Sequence, residues 1–86
     1  MSLVRAGRAR LAMALPQCRK QLLSAKSRDL DDLFEGYALA AEALDRLQTE
    51  EPQQPDLTSE YRNICASIQD EVLRLLGQLD GAANGA

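Results

Sequence analysis

The 86-residue chain has no histidine and no tryptophan, and its only aromatic residues are Phe34, Tyr37 and Tyr61. Without histidine there is no imidazole to act as a base near neutral pH or to bind zinc. Two cysteines, Cys18 and Cys65, are too few for a disulfide-stapled secreted scaffold. No apolar run approaches the roughly 18–20 residues of a membrane span. The longest early run, Leu11 to Leu15, is too short for the core of a signal peptide. With 45% apolar and 27% charged residues, the chain has the composition of one small folding domain.

Acid is also missing from the first third of the chain. Residues 1–28 carry Arg5, Arg8, Arg10, Arg19, Lys20, Lys26 and Arg28 and no carboxylate, a charge of +7. Residues 29–86 carry all thirteen acids against Arg46, Arg62 and Arg74, or −10, which leaves the net −3. Such a split can signal nucleic acid, a membrane or targeting. The basic stretch has no aromatic on which a base could stack, and the acidic remainder repels phosphate, so nucleic acid is not expected. A transit peptide has a similar composition, but removing it would leave few residues to form a core. The remaining reading is a basic segment lying on acidic helices of the same molecule.

Apolar periodicity predicts helices only. Val4, Leu11, Leu15, Cys18, Leu22 and Ala25 form one face of a helical segment over about 3–26, with a break or kink at Pro16. Ser27 or Asp29 can cap the next helix, and the acids Asp29, Asp31, Asp32 and Glu35 suit the positive end of its dipole. That helix, 29–49, has its stripe at Leu30, Leu33, Phe34, Tyr37, Ala41 and Leu44. Glu50 to Asp56, with Pro52 and Pro55, reads as a loop, with Asp56 or Thr58 capping a third helix over 57–80. The third stripe is Leu57, Tyr61, Ile64, Ile68, Val72, Leu75 and Leu79, widened by Cys65 and Leu76. Gly81 is the expected stop, with 81–86 a flexible tail. The expected fold is all-α. It is an antiparallel three-helix bundle, or a helical hairpin with an additional N-terminal helix, in one domain over 1–80. With no Trp and about twenty core side chains, burial barely exceeds the entropy cost of ordering the chain, so a homodimer or a partner helix would add stability.

The sequence offers no chemistry for an enzyme. Asp31/Asp32, Glu50/Glu51 and Asp70/Glu71 are neighbours in sequence. Neighbours point about 100° apart on a helix and do not converge on one substrate. Cys18 and Cys65 sit on apolar stripes and read as buried thiols; a disulfide between them is left open. No cysteine has a histidine base, and Gly7, Gly36 and Gly77 form no phosphate-binding motif. No catalytic residue, cofactor or metal site is expected. Two leucines do not fit the stripes. Leu39 lies roughly 200° around its helix from Tyr37, and Leu73 roughly 140° from Ile68. Leu39 and Leu73, together with Tyr37 and Leu76 of the stripes, are the candidate partner-binding residues.

The run Leu22-Leu23-Ser24-Ala25, then Asp29-Leu30-Asp31-Asp32-Leu33, the Pro loop, and Ile64-x-x-x-Ile68-Gln69-Asp70-Glu71-Val72-x-x-Leu75-Leu76 resembles the small helical chaperones of flagellar type III export. The FliT type is nearest, with FlgN-like proteins next. The resemblance implies a cytoplasmic protein that holds a helical segment of an export substrate, such as the filament-cap protein, and delivers it to the export ATPase. That family carries a further C-terminal helix able to mask its groove, for which nothing in 81–86 substitutes. Leu33-x-x-x-Tyr37-Ala38-x-Ala40-x-x-Ala43-Leu44 is similar to microtubule-interacting and transport (MIT) domains, which bind amphipathic tail helices. A third expectation is an obligate subunit of a helical oligomer.

Overall fold

The structure, a computed structural model, describes residues 2–84, with the backbone alone for 80–84. It is all-α: α1 Leu3–Ala14, a 3-10 turn Pro16–Cys18, α2 Arg19–Ser24, α3 Arg28–Thr49 and α4 Pro55–Asn84. Local chemistry sets most of the boundaries. The Ser2 side chain accepts from the Arg5 N–H and caps α1. Pro16 has no N–H to give, so α1 closes at Ala14 and the proline opens the 3-10 turn. The break expected at Pro16 therefore separates two helices joined by a turn. Ser27 caps α3, accepting from the Leu30 N–H at 3.4 Å, with Asp29 and Asp31 in the first turn.

Two boundaries of α4 differ from expectation. It begins at Pro55, whose fixed φ suits the first helical position, and the Thr58 N–H donates to the Gln54 carbonyl at 2.9 Å. Asp56 and Thr58 therefore lie inside the helix rather than capping it. At the other end α4 continues through Gly81 to Asn84. Ala82 and Ala83 are strong helix formers, and no proline follows to force a stop. The rest of the expected tail, 85–86, lies outside the described residues. In the loop between α3 and α4 the Glu51–Pro52 peptide is cis. The Gln53 side chain donates to the carbonyls of Gln48 and Glu50, satisfying the open end of α3.

α3 is the central element. It packs against α1 on one side and α4 on another, while α1 and α4 scarcely meet. α3 and α4 run antiparallel. Leu47 and Leu57 lie together near the loop, Gln69 bonds Tyr37 farther along, and Gly36 faces Ile68. α1 points the same way as α3: Gly7 lies on Phe34, and Arg10 reaches Asp45 towards the C-terminal end of α3. The turn at Pro16 and α2 then bring the chain back to the start of α3. Of the two arrangements expected, this is the hairpin with an additional N-terminal helix. The molecule is elongated, 54 × 25 × 20 Å, because α4 alone is about 45 Å long at ~1.5 Å per residue.

One apolar cluster joins all four helices. Leu11, Leu22, Leu30, Phe34 and Val72 are fully excluded from water, and each stabilises the fold by roughly 1.5–3 kcal/mol. At Gly7 the backbone of α1 lies so close to α3 that a Cβ would overlap the Phe34 carbonyl. Nothing lies near a Cβ built at Gly77. Two glycine-to-alanine changes should therefore act in opposite directions. Gly7→Ala forces α1 off α3 and should lower stability by about 1–3 kcal/mol, the range for overfilled cores. Gly77→Ala should raise it by up to ~1 kcal/mol through helix propensity alone. Urea titrations of the two variants check both signs.

Candidate functional site

The four residues singled out from the sequence do not come together. Tyr37 and Leu76 are buried core residues, 7% and 3% exposed. Gln69 donates to the Tyr37 hydroxyl at 2.9 Å, which ties α4 to α3. In this conformation both residues hold helices together. Leu39 and Leu73 are exposed, at 51% and 38%. Leu39 stands on α3 among the exposed side chains of Asp32, Glu35, Glu42 and Arg46, close to it around the helix, and Leu73 stands on α4. Single exposed leucines of this kind are ordinary.

The surface with the shape of a binding site lies elsewhere. The apolar stripe of α4 splits lengthwise. Cys65, Val72 and Leu76 are buried, Ile68 and Leu75 are half-buried, and Ile64 is 43% exposed. α4 has a single close neighbour along its length, α3, which covers one edge of the stripe and leaves the other open. That open edge and Leu33 of α3 bound a cleft of about 450 Å³, lined also by Glu60, Asn63, Ser67 and Glu71. Its floor is aliphatic and its rim is hydroxyl, amide and carboxylate. This is the composition of a shallow protein-binding groove. Ile64, Ile68 and Leu33 belong to the apolar stripes by their spacing, yet they line this cleft. Ile64 and Ile68 lie at one edge of the stripe, and Cys65, Val72 and Leu76 at the other, which is the edge that α3 covers.

Two other clefts mix polar and apolar linings. One, of about 410 Å³, lies where α1, α3 and α4 approach and contains Arg10, Tyr37, Asp45, Arg62 and Gln69. The other, of about 210 Å³, lies at the loop end between Leu47, Glu50, Gln54 and Tyr61. Neither Leu39 nor Leu73 lines any of the three. Among the described residues no group of three or more potential metal ligands occurs, and no helix is long and apolar enough to cross a membrane.

The charge split is only partly closed within the molecule. Arg8 lies 3.7 Å from Asp31 with its guanidinium over the Phe34 ring, and Arg10 bonds Asp45 at 3.1 Å. Arg5, Arg19, Lys20, Lys26 and Arg28 make no ion pair among the described residues. At the apolar cleft, Arg74 hydrogen-bonds Glu71, which holds that carboxyl below its ordinary range, while Glu60 is in no ion pair among the described residues.

Comparison with protein-family models, with curated proteins and with solved structures finds no match to this chain.

Both cysteines are free thiols. Burial pushes the Cys65 thiol above its ordinary range; nearby Arg10 pulls it down and Asp45 adds to the rise. A raised thiol pKa leaves less thiolate at any pH below it, and the thiolate is the reactive form. Cys65, 8% exposed, should therefore react with an aromatic disulfide reagent more slowly than the half-buried Cys18 near pH 8. The gap should narrow in denaturant. The Cys18→Ser and Cys65→Ser variants assign the two phases.

Proposed function

We propose that this chain is a non-enzymatic helical protein-binding module. In the reading we favour it is a cytoplasmic chaperone that holds a helical segment of a flagellar type III export substrate. The observation that carries the binding reading is the half-open cleft of Leu33, Ile64 and Ile68. An aliphatic floor of this length, left uncovered by the molecule's own helices, is stabilised when a partner's apolar stripe displaces water from it. The chaperone reading adds the resemblance of the 22–33 and 64–76 segments to that family. Small size and a thin core also suit a protein completed by its client.

The MIT-like reading uses the same physics with a different partner. It is favoured by the run of small buried residues Ala38, Ala40, Ala41 and Ala43 on α3. The obligate-subunit reading is favoured by further exposed apolar residues, Met13, Leu23 and Leu79.

The experiment is thermal unfolding with and without the helical terminal segment of a filament-cap protein. A ligand at about a hundred times its Kd adds about 2.7 kcal/mol of stability. For a domain of this size, ~4–8 °C per kcal/mol gives a rise in Tm on the order of 10 °C. Ile64→Asn should abolish the rise while leaving the helical circular dichroism intact. An unchanged Tm at saturating peptide would remove the chaperone reading. Stabilisation by a membrane-remodelling tail helix instead would select the MIT-like one.

A further inference from the structure

We propose that the α3–α4 cleft is built for a basic partner: an amphipathic helix from another protein, its apolar stripe flanked by Lys or Arg. This rests on the reading of the chain as a helix-binding module and names the chemistry of what it binds. Along α4 the cleft runs from Glu60 to Glu71, about three helical turns or ~16 Å, enough for three apolar anchors spaced one turn apart. A carboxylate stands at each end of this span. Glu60 is exposed and in no ion pair among the described residues. Glu71 is followed one turn later by Leu75 and is joined to Arg74. On the facing helix, Asp29 precedes Leu33 by one turn on the same side and is exposed.

Nothing from the basic N-terminal segment reaches this cleft, because no residue of α1 or α2 lines it. That segment is held on another side of α3 by the close approach of Gly7 to Phe34. The molecule therefore keeps its basic N-terminal segment away from this groove, and of the groove's carboxylates only Glu71 is ion-paired, to Arg74, among the described residues. An acidic helix laid there would set like charges against Glu60 and Asp29. A basic one would pair them at a partly desolvated edge, where opposite charge raises both the encounter rate and the selectivity. A second copy of this chain is a poorer occupant. Its exposed basic helix, α2, presents Leu23 with Arg19 and Lys20 one turn before it, but its six residues span only about 9 Å and cannot fill the groove.

The test uses the full chain and three labelled peptides of about 18 residues. All share one leucine stripe, and the remaining positions are Lys, Gln or Glu. Fluorescence anisotropy should show the Lys peptide binding at least tenfold more tightly than the Glu peptide. The preference should shrink several-fold between about 0.05 and 0.5 M salt, as screening shortens. Glu60→Lys should weaken the Lys peptide several-fold, and Ile64→Asn should abolish binding of all three, both variants keeping their helical far-UV signal. Equal affinity for the three peptides overturns this inference and leaves the helix-binding reading standing. Full retention of the Lys peptide by Ile64→Asn overturns it too, because the attraction is then to the acidic surface at large. Binding of none of the peptides overturns both readings. Salt-sensitive self-association that Glu60→Lys abolishes would replace the outside partner with a second copy.

Discussion

The structure depends on covering α3. That helix buries Leu30, Phe34, Tyr37, Ala38, Ala40, Ala41, Ala43 and Leu47, which occupy more of its circumference than one neighbour can shield. A hairpin with α4 alone would leave one side of these residues in water. α1 supplies the second wall, and it can approach only because residue 7 has no side chain to separate it from the Phe34 backbone. The break at Pro16, the short α2 and the Ser27 cap follow from the same requirement. The chain must leave the far end of α1, turn back, and enter α3 at its start.

The relation between α3 and α4 is not symmetrical, and the candidate site comes from that asymmetry. α3 has two helical neighbours for its wide apolar surface; α4 has one for a narrower stripe, and that neighbour covers only one edge of it. The surplus on α4 appears as Ile64, Ile68 and Leu75, and Leu33 joins it at the edge of α3 where neither α1 nor α2 reaches. The cleft is thus not an insertion on the fold but the part of the apolar surface that three layers fail to cover. Recognition by such a surface needs no acid–base group, nucleophile or bound ion. It needs only a second apolar stripe of matching period.

Much of this was legible in the amino-acid pattern, and the failures have physical causes. The break at Pro16, the Ser27 cap, the proline loop and the three stripes all follow from residue chemistry that acts within a turn or two of chain. The direction of α1 does not, because apolar periodicity gives a face and no polarity; it takes two contacts, Gly7 on Phe34 and Arg10 on Asp45, to set it. The end of α4 is not legible from Gly81, which looks like a stop by itself, whereas the alanines after it keep the helix going. Tyr37 and Leu76, candidate partner contacts by their residue type, are buried in the core. Whether a stripe residue is core or surface depends on how many helices surround it, and that number is not written in the stripe. The clue lies in α4, where Ile64 and Cys65 are adjacent, both apolar and about 100° apart: α3 buries Cys65 and leaves Ile64 43% exposed.

In the binding we propose, the segregation of charge would place selectivity and affinity on different residues. Ion pairs such as Arg10 with Asp45 are well exposed, and pairs of that kind contribute only ~0–1 kcal/mol. The basic layer is therefore held on α3 by Leu11, Leu15 and Leu22, with charge as a minor addition. Its cations do, however, offset acid on the side of α3 that they cover, while the side bearing Leu33, Ile64 and Ile68 keeps its carboxylates without a comparable layer. The same division holds at the cleft. Glu60 and Glu71 stand in water, where screening limits them to steering and to penalising the wrong partner. The binding energy itself has to come from dehydrating the aliphatic floor, which scales with apolar area. A partner with the right charges and no apolar stripe would be attracted and not retained, whereas one with the stripe and the wrong charges would be retained weakly and met rarely.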